Sequence, residues 1–230
     1  MPLALQPRCV SGEKTMPLQN RVDPFGTIHA VPDRGLFTGN RGIIHDPETK
    51  TLKKKRWALP AWIICVCQFR NVRRQPMGRN RKGGKAGWTE LFFLDEVTAL
   101  AAGHRPCFFC QRERARDFVG RFGDAFGIAE PRAPMVDKRL HKERLASGGR
   151  PPGIAVEDLA GLPDGAMVAD GRTVYALRRG TTLRWSFAGY EHPGDFGLLN
   201  GKTLSLLTPA TTLAVLGHGF RPVWHPTAEA

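Results

Sequence analysis

Cys107 and Cys110 stand in Pro106-Cys-Phe-Phe-Cys110, a C-x2-C spacing that lets two thiolates reach one metal ion from a tight knuckle. Pro106 helps fix that turn by holding its own φ. One such pair fills half of a tetrahedral zinc site, so further ligands are sought at His104, His45, His141 and the cysteines of the segment 62–69. Cys65 and Cys67 lie two apart in that segment and would face the same side of a strand, so they are not both expected on one ion. The expected metal ligands are Cys107, Cys110 and His104, with zinc as the structural ion. Two other readings of the knuckle stand beside this one. One is a pair of buried thiols at a helix start. The other is a redox CxxC, which has no thioredoxin-like βαβ context here. The five cysteines (Cys9, Cys65, Cys67, Cys107 and Cys110) are an odd number in a chain of 230 residues, which favours metal binding or burial over a disulfide framework.

Two hydrolytic arrangements are also within reach of the residue types. Asn40 and His45 sit in a stretch punctuated by Gly35, Gly39 and Gly42, and His45 would serve there as the water-activating base of a nuclease using Mg2+ or Mn2+. His141-Lys-Glu143 has the H-x-E pattern of zinc deaminases, and His141 and Glu143 are carried as further catalytic candidates. That pair follows the Pro-Cys-x-x-Cys instead of preceding it and falls on an expected helix among basic residues, so a solvated helix face is its plainer reading. Trp185, Phe187 and Tyr190 suggest an aromatic platform for stacked bases, with core packing as the alternative.

Charge gives these candidates a setting. The formal net charge is +13 and the pI is about 10.1, the electrostatic footprint of a protein that meets polyanions. The excess is local, because residues 50–85 carry twelve Lys and Arg and no Asp or Glu. Lys53, Lys54, Lys55 and Arg56 precede an apolar segment, and Arg70, Arg73, Arg74, Arg79, Arg81, Lys82 and Lys85 follow it. These eleven are the expected nucleic-acid contacts, made to phosphates and not to base edges. The Gly-rich stretch 77–87 reads as a flexible cationic loop that follows a phosphate backbone, or else as a disordered solvated one.

The elements that position these residues are read from periodicity. Residues 1–24 show none and are expected to form a loose extension, and residues 33–45 read as a tight turn or irregular loop. The β-branched and aromatic run 62–69 is a buried strand, and 91–94 a strand or bend. Asp95 is an N-cap before a helix over 96–103, the knuckle follows, and Phe118, Val119, Phe122 and Phe126 mark a second helix over 111–126. A helical piece over 137–145 lies in a Pro- and Gly-punctuated junction, 132–152. Beyond it, short strands at 166–169, 173–177, 183–187 and 204–207 have the spacing of a β-meander, and 208–217 reads as a last helix. No run approaches the roughly 18 apolar residues of a membrane span, and 1–10 lacks a secretory apolar stretch, so the expected compartment is the cytoplasm.

Phe92-Phe-Leu-Asp-Glu-Val-Thr-Ala-Leu-Ala-Ala-Gly-His-Arg-Pro-Cys-Phe-Phe-Cys-Gln111 resembles the second half of the metal-binding domain of the Ada DNA-repair protein, a strand, an Ala-rich helix and Gly-x-Arg-Pro-Cys-x-x-Cys. The resemblance covers about 20 residues and implies zinc held by Cys107 and Cys110 near DNA. In that family four cysteines hold the ion and one of them accepts a methyl group from a DNA phosphotriester. The C-x3-C that carries this nucleophile is missing here, so methyl transfer does not carry over. Over its whole length the chain also resembles uncharacterised bacterial proteins.

The sequence therefore predicts an α+β protein. A basic, mixed zinc-knuckle domain occupies 25–131, and a small β-meander, barrel-like domain 153–230. The expected function is zinc-containing nucleic-acid binding, DNA ahead of RNA. A metal-dependent nuclease or repair hydrolase is the first alternative, and an interaction module for an acidic protein partner the second.

Overall fold

The computed structural model describes residues 16–70 and 72–229; residues 1–15, with Cys9 and most of the expected extension, lie outside the described residues. The fold is α+β, built on two six-stranded sheets. The first sheet contains β1 (Arg21–Val22), β2 (Ile28–His29), β3 (Phe37–Asn40), β4 (Ile63–Val66), β5 (Leu91–Phe93) and β6 (Arg105–Pro106), in the order β2-β1-β5-β3-β4-β6. Here β1–β5 and β4–β6 run parallel and the other pairs antiparallel. Two expectations are corrected by this sheet. Part of the supposed extension is structural, since Arg21 pairs with Phe92. The Gly-punctuated stretch contains the central strand β3: a Cβ on Gly39 would stand 2.3 Å from the Ile63 carbonyl oxygen, so glycine lets two backbones approach where the sequence suggests a loop.

The second sheet is wholly antiparallel. It runs β11 (Gly189–Gly194), β10 (Thr181–Ser186), β9 (Thr173–Arg178), β8 (Met167–Asp170), β12 (Leu204–Leu206) and β7 (Gly153–Ile154) in spatial order. The meander forms as expected. Arg179 and Gly180, both at positive φ, make the two-residue turn between β9 and β10. No barrel closes, however, because β11 and β7 remain as edges.

Four α-helices lie among the described residues: α1 (Glu96–Ala101), α2 (Arg112–Phe126), α3 (Ala133–Glu143) and α4 (Ala210–Gly217). The third starts four residues before its expected first residue, with Pro in its first turn, where the missing N–H costs nothing. None is long and apolar enough to cross a membrane. Val22, Ile28, Phe37, Ile64, Leu91 and Phe93 of the first sheet pack with Leu100 of α1, Phe118 and Phe122 of α2, Leu140 of α3 and Leu216 of α4. Leu94, Val97 and Ala101 instead pack with Met167, Ala169, Val174, Ala176 and Leu183 of the second sheet. α1 is thus buried around its whole circumference, between two cores. The expected division at 132–152 therefore does not separate two cores: α4, beyond it, packs on the first sheet's helices.

The start of α1 holds the two halves together. Asp95 Oδ1 accepts from the Thr98 N–H and hydroxyl at 2.9 and 2.8 Å, and its Oδ2 accepts from the Tyr190 hydroxyl and the His225 N–H at 2.8 and 3.1 Å. Glu96, also buried, pairs with Arg114 and accepts from the Val223 N–H at 2.9 Å. Trp185 donates to Thr98 Oγ1 at 3.0 Å, and both it and buried Tyr190 face α1 and not an open stacking platform.

Candidate metal centre and its basic surroundings

Parallel pairing of β4 with β6 sets the register Ile63↔Arg105 and Ile64↔Pro106, which brings the next residues of each chain, Cys65 and Cys107, beside one another. The Cys107 N–H donates to the Ile64 carbonyl at 2.9 Å, and the chain then turns tightly so that the Gln111 N–H reaches the Cys107 carbonyl at 2.9 Å. The Gln111 side chain ties this turn back to Ile64 O at 2.9 Å. The Phe109 N–H points at Cys107 Sγ at 3.3 Å, a donor that stabilises a thiolate.

The result is a three-thiol cluster, Cys65, Cys107 and Cys110, whose sulfur atoms all lie within 4.8 Å of one another. Sulfurs around a tetrahedral zinc with bonds of about 2.3 Å would stand about 3.8 Å apart, so small side-chain adjustments suffice to hold an ion. Hydrogen bonds from Cys110 and then Cys65 draw the Cys107 thiol down to about 2, while the bond to Cys107 pushes Cys110 up to about 11 and Cys65 upward too. A divalent cation would hold all three groups as thiolates.

Cys107 and Cys110 take the places expected of them, but His104 does not. His104 is fully buried, its Nε2 accepts from Arg41 Nε at 3.3 Å, and its ring packs on Trp62 and Phe93. It stands three residues before Cys107 in extended chain, so the two side chains leave opposite faces. Cys65 takes the third position. Cys67 is not a member of the group and is engaged elsewhere.

The catalytic candidates are not assembled into a hydrolytic centre. His45 has no exposed surface; its Nδ1 shares a 2.6 Å hydrogen bond with Thr89 Oγ1, and desolvation lowers its pKa, so it is a buried neutral imidazole without access to a water to activate. Asn40, also buried, accepts the Gly42 N–H at 3.1 Å. His141 packs edge-on against Trp57, with centroids 4.6 Å apart. Glu143 caps α4, its two oxygens accepting the Thr211 N–H and hydroxyl at 2.8 and 2.7 Å. Glu143→Ala is accordingly expected to cost about 1–2 kcal/mol in urea unfolding, the loss typical of a removed cap, without altering metal content.

The basic residues flank the cysteines on both sides of β4. Lys53, Lys54, Lys55 and Arg56 are exposed before it, and Arg73, Arg81, Lys82 and Lys85 after it, all without a carboxylate partner among the described residues. Arg70 lies over the rings of Phe69 and Phe109, at 5.1 and 5.8 Å, and Phe109 is the exposed tip of the knuckle. Two of the eleven expected contacts are compromised: Arg79 pairs with Glu48, and Arg74 pairs with Glu90 at 2.7 Å while stacking on Trp88. Buried Glu90 also accepts the Met77 N–H at 2.8 Å and the Asn80 amide at 3.1 Å. It thereby organises the stretch 74–85, closed by an Arg81↔Lys85 bridge, which covers most of the stretch 77–87 that reads from sequence as a flexible loop.

Comparison of the chain with family models, with curated proteins and with solved structures gave no match.

Proposed function

We propose that this protein binds nucleic acid, DNA ahead of RNA, through phosphate contacts from a basic face braced by a structural zinc ion. The observation that carries the reading is the placement of eight exposed, unpaired cations on the two segments joined by β4, the strand that also supplies Cys65. A field of one sign concentrated on one face attracts a polyanion and gains by releasing its counterions. Three cysteine sulfurs are soft donors that suit zinc over oxygen-preferring cations, and a reducing cytoplasm would keep them as thiols. The preference for DNA rests on the resemblance of 92–111 to the Ada metal-binding domain. Among the described residues, Asn40, His45, His141 and Glu143 are each held in other contacts, which gives the nuclease reading no support.

Fluorescence anisotropy with labelled double-stranded DNA between 50 and 200 mM salt tests this. Engagement of about five cations predicts a slope of log K against log salt of about −4 to −5. Replacing Lys53, Lys54 and Lys55 together by Glu is expected to weaken binding at every sequence alike and to make the slope shallower by about 2–3. Binding that ignores salt, or its absence at 50 mM, would remove the reading.

A further inference from the structure

Arg41 and Arg144 are buried to 0% and 1% exposure, and neither meets a carboxylate among the described residues. Both guanidinium groups lie against the Trp62 indole, at 3.9 and 4.3 Å from its centroid. Arg41 donates to Gly26 O at 2.9 Å and to His104 Nε2, and Arg144 to Gly103 O and Pro60 O at 2.7 Å each. Gly103 is required there, since a Cβ on it would meet Arg144 Cγ at 2.4 Å. The remaining Nη2 of each arginine has no partner, nor does His104 Nδ1 or the Nδ1 of neighbouring His141. Four of the seven buried, unpartnered side-chain polar atoms among the described residues thus belong to this one neighbourhood.

Such a cluster is expensive. Removing a charge from water costs several kcal/mol unless an opposite charge replaces the lost hydration, and here two like charges lie against one indole. The nearby carboxylates are committed elsewhere: Asp137 to Arg105, Glu143 to Thr211, Asp23 to His29. Since His104 Nε2 accepts from Arg41, its proton sits on Nδ1, toward the Ala99 and Ala102 carbonyls, and the ring is neutral beside the two cations.

We propose that Arg41 and Arg144 form a binding site for a dianionic oxyanion, a phosphate or phosphate monoester, beside Trp62. Two unpaired positive charges match its two negative ones, and planar guanidinium forks suit its oxygens. The cover over the site is thin. Ala58, Leu59 and Pro60 are all exposed, and they are tied down by the Ala58 and Leu59 N–H groups on Arg41 O and by Arg144 on Pro60 O. This segment directly follows the run Lys53, Lys54, Lys55 and Arg56 in the sequence.

Calorimetric titration of the full, metal-loaded chain with inorganic phosphate, against chloride at equal ionic strength, tests the site directly. Saturable binding of one phosphate per chain is expected. Arg144→Lys keeps the charge but removes the fork, and should weaken phosphate about tenfold or more with the circular dichroism unchanged. The triple Glu variant at Lys53, Lys54 and Lys55 should retain phosphate binding, which separates this site from the exposed face. A parallel comparison of 5′-phosphorylated and 5′-hydroxyl oligonucleotides identifies the source. A preference for the phosphorylated strand assigns the site to a nucleic-acid end, and phosphate binding without that preference assigns it to a small phosphate monoester. Should Arg144→Lys fail to fold, the wild-type titration and Arg41→Lys decide. No saturable phosphate binding by the wild type, or affinity unchanged in a folded lysine variant, overturns the proposal whether or not the chain binds DNA.

Discussion

Cys65→Ser is expected to strip the chain of its metal, from about one zinc per chain to less than about a tenth, and to lower unfolding stability by at least about 3 kcal/mol. Cys65 comes from β4, while Cys107 and Cys110 come from the knuckle after β6, so the ion would cross-link the parallel pair at the edge of the first sheet. Losing one of three clustered sulfurs leaves a site that cannot enclose the ion, and the two remaining sulfurs, that of Cys107 buried, then lose their charge partner. Metal content by atomic emission and cobalt substitution, read by its sulfur-to-metal charge-transfer bands, both check this. His104→Ala, in contrast, should leave metal content unchanged, because that ring faces Arg41. Affinity should fall as pH falls, since protons compete for the sulfurs. A wild-type chain that neither carries zinc nor takes up cobalt would refute the metal centre, and retention of a full equivalent in Cys65→Ser would refute its ligand set.

The difference between His104 and Cys65 shows how far the sequence reaches. The C-x2-C declares itself by spacing alone, because its geometry is local. The third sulfur depends on a parallel pairing between strands forty residues apart, for which one chain carries no signal, although the odd spacing of His104 from Cys107 in extended chain already argues against that histidine. The helices α1 and α2 were legible from an N-cap aspartate and from the Phe118, Val119 and Phe122 spacing, and the meander from its turns. β3 was not, because Gly39 weakens a strand's signature in order to serve its packing. Arg41 and Arg144 lie 103 positions apart and look like any surface arginine until the fold places both on Trp62. The basic run was visible as composition, yet Glu48 and Glu90, which pair with two of its members, lie just outside it.

Asp95→Ala should destabilise the whole chain by about 3–5 kcal/mol, more than an ordinary helix cap, because four donors lose their acceptor at once. Two of those donors belong to α1, while Tyr190 and His225 belong to the C-terminal part, so the loss falls on the contact between the two cores. Burial raises the folded-state pKa of Asp95 despite these bonds, and that of its neighbour Glu96 as well. The sign of the pH dependence follows. Between the ordinary aspartate value of about 3.9 and the raised folded value, the folded chain binds more protons than the unfolded one, so stability falls as pH rises through that window. Asp95→Asn abolishes one of the two titrations and should flatten the slope while costing less than alanine, since its amide oxygen still caps Thr98. Tyr190, held far above its ordinary range by burial beside Asp95, adds a second loss above about pH 10, when the unfolded phenol ionises and the folded one does not. Urea unfolding of the wild type and both variants from pH 4 to pH 10.5 measures all three effects. If Asp95→Ala costs under about 1 kcal/mol, the carboxylate is not what joins the two cores, and α1 must be held by its apolar faces alone.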